Sequence, residues 1–78
     1  MTRKQLIDEA AWQVAHAIEF DDSPDAAAWT VAELERRAAA EPYDAITNDN
    51  AIRNLYPLSD DERAEIIARA ERRAYPAS

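Results

Sequence analysis

Apolar positions recur along this chain at helical spacing. Between Arg3 and Glu19, the residues Leu6, Ile7, Ala10, Ala11, Val14, Ala17 and Ile18 fall on one face at about 100° per residue. Asp8, Glu9, Trp12, His16 and Glu19 fall on the other. Trp12 therefore stands off the apolar stripe, with Asp8 at i−4 and His16 at i+4. Thr2 and Gln5 form a capping box, in which the Thr2 hydroxyl accepts from the Gln5 amide and the Gln5 side chain reaches back. The pattern predicts a first helix over 3–19.

Phe20-Asp21-Asp22-Ser23-Pro24 interrupts it. Ser23 followed by Pro24 reads as an N-cap with proline at the first helical position. A second start signal follows at Thr30-Val31-Ala32-Glu33, a capping box flanked by Trp29 and Leu34 at the positions of a hydrophobic staple. Two readings are open: one helix over 24–41, kinked near Trp29, or a turn over 24–28 and a helix from Val31. The single helical region is favoured. Pro42 disfavours helix at Glu41.

Residues 42–47 read as a short loop carrying Tyr43 and Ile46, folded over the core. A short third helix over 48–55 follows, with Ile52 and Leu55 inward and Pro57 ending it. Ser59-Asp60-Asp61-Glu62 is the clearest start in the chain: an N-cap, acids favoured by the helix dipole and a capping-box Glu. The fourth helix runs over 60–74 with Ile66, Ile67, Ala70 and Ala74 inward. Glu65 and Arg69 form an i,i+4 pair, and Arg69, Arg72 and Arg73 gather at the cation-favouring end.

Glycine is absent, and no period-2 alternation of β-branched residues occurs. Gly-rich phosphate loops and Gly-dependent hairpins are thereby missing. The expectation is an all-α, single-domain bundle of three to four helices spanning 1–78.

Composition narrows the function classes. Alanine dominates the 47% hydrophobic fraction, so the core is thin. A chain of this length buries about 60% of its unfolded surface and gains from dimerisation or docking to a partner. There is no cysteine to supply disulfides or thiolate ligands. Charged residues make up 32% and no long apolar run occurs, which excludes a membrane-spanning helix. The N-terminus does not read as a signal peptide, and the expected location is the cytosol.

Charge is unevenly placed. The net charge is −7; residues 1–50 carry eleven acids and four bases, while residues 51–78 carry five of each. From Gln5 to Glu35 there are eight acids and no Lys or Arg, and both tryptophans and the single histidine fall in that run. Such a half repels phosphates and anionic membranes and attracts basic partners.

Specific chemistry is harder to place. Asp21-Asp22-x-x-Asp25 lacks the alternating spacing, turn Gly and terminal Glu of a calcium loop. His16 with Glu19 is a lone i,i+3 pair with no second pair to complete a bundle metal site. No nucleophile stands out, because Ser and Thr mostly occupy caps. No catalytic residue, cofactor or metal is expected, and the chain reads as a non-enzyme. A helix-turn-helix reading would use Asn48, Asn50, Arg53 and Asn54 as DNA readers, but the cationic footprint is missing.

The remaining candidate is a protein-binding surface. Aromatic anchors within an acidic rim suit a basic cleft: the indole supplies buried area and the carboxylates supply steering. The contact candidates are Asp8, Glu9, Trp12, Glu19, Asp21, Asp22, Asp25, Trp29 and Glu33. The competing reading packs Trp12 and Trp29 on each other, or under the fourth helix, and leaves the acids as a solvated face. Carboxylates spread along helices can stand in for a phosphate backbone. In charge class the chain is similar to the nucleic-acid mimics of phages and mobile elements, among them anti-CRISPR and antirestriction inhibitors. The expectation is an acidic binding protein that occupies a basic, nucleic-acid-binding surface of a partner, with no direct contact to nucleic acid or membrane. A homodimeric structural or antitoxin-like subunit is the alternative.

Overall fold

The structure, a computed structural model, describes residues 2–21, 23–40 and 51–76. They form four helices and no strand: α1 (Arg3–Ile18), α2 (Ala26–Ala40), α3 (Ala51–Leu55) and α4 (Asp60–Ala74). The all-α bundle expected from periodicity is the fold. The expected loop over 42–47, Glu41, and the beginning of the third helix at 48–50 lie outside the described residues.

The helix starts follow from local chemistry. Thr2 accepts from the Gln5 amide at 3.1 Å, and the Thr2 amide donates to the Gln5 side chain at 2.8 Å. Ser59 and Glu62 complete the same exchange at 3.1 and 3.0 Å. Each box satisfies amides that a helix N-terminus otherwise leaves without partners.

The second start signal is not used. Ser23–Asp25 form a turn, the Ala26 amide donates to the Ser23 carbonyl, and the Trp29 amide to the Asp25 carbonyl. Thr30 then lies inside α2, and neither its capping box nor the Trp29–Leu34 staple caps a helix. Ala26–Ala28 are strong helix formers, so the helix nucleates before Thr30. The reading of one helix is the observed one, with the start at Ala26 instead of residue 24.

The core is narrow. Its largest fully buried side chains are Val14, Ile18, Val31, Ile52, Leu55 and Ile66. Full burial of each stabilises the fold by about 1.5–3 kcal/mol. Ala10, Ala11, Ala27, Ala51 and Ala70 fill the spaces between them and let the helix backbones approach closely. α1 packs against all three other helices, most extensively against α4. Two residues depart from the expected stripe: Ala17 is exposed and Ala15 is buried. Ala17 lies about 100° from Ile18 around the helix.

Ion pairs join the acidic first half to the arginines of α4. Arg63 grips Glu35 through two bonds of 2.9 and 2.8 Å and also binds Asp60 at 2.7 Å. Arg69 and Arg73 converge on Asp8 at 3.2 and 2.6 Å. In the opposite sense, Arg3 of α1 grips Glu62 at 2.7 and 2.8 Å and caps the Leu55 carbonyl at 3.0 Å. The expected Glu65–Arg69 pair is present at 2.6 Å.

Candidate interaction surface

The two tryptophans do not pack on each other or under α4. Trp12 keeps 50% of its surface exposed and Trp29 67%. Between them in sequence, Phe20 is 95% exposed. Tyr56 and Tyr75 each keep 44%.

Trp12 stands on the side of α1 that borders α4. Its indole meets the His16 imidazole at a centroid distance of 4.0 Å and an angle of 55°. His16 Nδ1 lies 3.7 Å from the Glu19 carboxylate. A shallow groove is lined here by Trp12, His16 and Glu19 from α1 and by Arg72, Arg73 and Pro76 from the end of α4. The rim around Trp12 is therefore of mixed charge, whereas the first half of the sequence by itself implied an acidic one.

Trp29 sits in the first turn of α2, in a different environment. Its pocket is lined by Asp21, Ser23, Asp25 and Ala26, with no basic residue among the described lining residues. Asp21 Oδ1 accepts from the Ser23 amide at 2.9 Å, which orients that carboxylate. The Tyr75 hydroxyl donates to the Ile18 carbonyl at 3.3 Å and to the Asp21 carbonyl, so the tail of α4 braces the α1–α2 corner. Phe20 projects from this corner.

The carboxylates divide into two groups. Asp8 joins α1 to α4 through Arg69 and Arg73. Glu33 is held by Arg36 and Arg37, and the Arg36 hydrogen bonds pull its carboxyl below the usual range. These two candidates are partly neutralised within the fold. Glu9 and Asp25 make no ion pair among the described residues. Among the described residues, Glu19 pairs with His16, and one Asp21 oxygen accepts from the Ser23 amide. Asp22 lies outside the described residues.

Sequence reasoning passed over Phe20 and Tyr75. An aromatic set beside acids just past a helix end was the available signal for Phe20. Nothing in the sequence brings Tyr75 to Asp21. Of the residues a DNA reader would use, Asn48 and Asn50 lie outside the described residues, and Arg53 and Asn54 sit on the five-residue α3.

Among the described residues, no helix is long and apolar enough to cross a membrane, and no group of three or more His, Cys, Asp or Glu could hold a metal ion. Comparison with known proteins finds no matching family model, no similar curated protein and no similar solved structure.

Proposed function

We propose that the chain is a non-enzymatic binding protein that places its acidic, aromatic α1–α2 surface on a basic, nucleic-acid-binding surface of a partner protein and blocks it. It would act as nucleic-acid mimics do, in the manner of the anti-CRISPR and antirestriction inhibitors of phages and mobile elements. The observation that carries the reading is the corner itself. Phe20 and Trp29 stand in solvent beside Asp21 and Asp25, whose charges the chain's own arginines do not cancel. Exposed aromatics supply contact area at small entropic cost, and the carboxylates supply steering toward positive charge.

The test is capture on immobilised protein from host lysate, with and without added nucleic acid. The reading expects a nucleic-acid-binding partner that competitor nucleic acid and salt displace. Binding indifferent to both overturns it. Asn at Asp21, Asp22 and Asp25 should weaken the interaction, and Trp12→Ala should cost about 2 kcal/mol or more in affinity where it is a hot spot.

The same exposed aromatics also suit a homo-oligomer of the antitoxin-like kind. Sedimentation separates the two readings: a stable dimer that covers Trp12 and Trp29 leaves little acidic-aromatic surface for a basic cleft.

A further inference from the structure

We propose that the exposed Trp29 face is the docking site of an arginine side chain from the partner. The inference rests on the reading of this chain as a binder of basic surfaces and names the contact through which it binds. The pocket is lined by the exposed Trp29, the buried Ala26, Ser23 and two aspartates, with no base among its described lining residues. Elsewhere in the fold, the carboxylates of Asp8, Glu33, Glu35, Asp60, Glu62 and Glu65 are each taken by the chain's own arginines, while Glu9, Asp61 and Glu71 make no ion pair among the described residues and have no exposed indole in a shared pocket. Asp21 and Asp25 take none of them, and the Asp21 carboxylate is already oriented by its bond from the Ser23 amide.

Charge complementarity selects the occupant. A guanidinium is planar, stacks on an indole and directs its N–H fork at carboxylates in the same plane. It is more weakly hydrated than an ammonium, so arginine is preferred to lysine. An apolar anchor would desolvate both carboxylates without pairing them. A phosphate would be repelled by them. The groove at Trp12 is unsuited to a cation because Arg72 and Arg73 line it.

The experiment uses the full chain with Trp12→Phe, which leaves Trp29 as the one indole. Blocked tripeptides centred on arginine, lysine or citrulline are titrated while Trp29 emission and its indole N–H resonance are followed. The arginine peptide should give a saturable change, on the order of millimolar in affinity. Lysine should bind more weakly, and citrulline, the neutral isostere, should give none. Asp21→Asn, which keeps the oxygen that accepts from Ser23, and Asp25→Asn should each weaken arginine binding about threefold. Both variants are checked for an unchanged helical spectrum.

An equal response to citrulline, or no response to arginine, overturns the proposal. So does a parent-like arginine affinity in both Asn variants. If Trp29→Ala leaves capture of a basic partner intact, the docking site is wrong while the wider function stands. If the arginine peptide binds but no salt-sensitive partner exists, the docking site stands and the wider function fails.

Discussion

At the scale of single residues, exposure separates side chains that hold the fold from those left in solvent. Trp12 and Trp29 keep half or more of their surface in water, so Trp29→Ala should change unfolding free energy by less than about 1 kcal/mol. Ile66 and Val14 are fully buried, and Ile66→Ala should cost about 2–5 kcal/mol in a denaturant melt. A large loss of stability in Trp29→Ala would mean that the indole belongs to the core. Glu62 carries a pH signature. Hydrogen bonds from Arg3, and then from the Ser59 amide, hold its carboxyl down at about 2, against an ordinary value of 4.5. A depressed pKa contributes stability that is present above pH 4.5 and is lost as pH falls toward 2. Thermal melts of Glu62→Gln should show a flatter stability profile across that window than the parent. Equal slopes in the two proteins would refute the assignment.

At the scale of elements, local signals succeeded where the chain could satisfy them without outside help. The Thr2 and Ser59 capping boxes are closed by residues three apart, and both form as read. Ser59→Ala should cost about 1 kcal/mol in unfolding free energy. The Thr30 box has the same residue types but lies within α2, where a cap has no free amides to satisfy. Thr30→Ala should therefore be neutral or slightly stabilising, since alanine is the better helix former. A loss comparable to that of Ser59→Ala would show that α2 is interrupted there. Two start signals, at Ser23 and Thr30, lay seven residues apart, and the alanines between them favoured the single helix. Similarly, Ala17 belongs to the apolar pattern of α1 but is exposed, because the edge of that stripe is drawn by where the other helices lie. Pattern alone does not contain that information.

At the scale of the whole molecule, charge that is segregated along the chain is partly mixed in space. Asp8 and Glu35 meet arginines of α4, so the acidic run is not the acidic surface. Among the described residues, the carboxylates without an ion pair are Glu9, Asp21 and Asp25 in the first half and Asp61 and Glu71 on α4. Exposed pairs of this kind contribute little each and are screened by salt. Raising salt to about 1 M, where the screening length is about 3 Å, should shift the thermal midpoint only slightly while abolishing binding to a basic partner. Parallel loss of both would place the corner's charges in the service of stability.

The helices, their inward-facing residues and most of their ends were settled by the sequence itself. Periodicity and capping act between residues one turn apart, and both are written in the local order of side chains. The exposure of Trp12 and Trp29 was only half legible. The helical wheel placed Trp12 off the core stripe of its own helix, but whether another helix covered it depended on how α4 crosses α1. Tertiary structure decided that, and it brought Arg72 and Arg73 to Trp12 while leaving Trp29 among carboxylates alone. Ion pairs such as Asp8 with Arg69 span a separation of 61 residues, so no spacing rule announces them. Which charges cancel and which remain unpaired is a property of distance in space, and folding alone sets that distance.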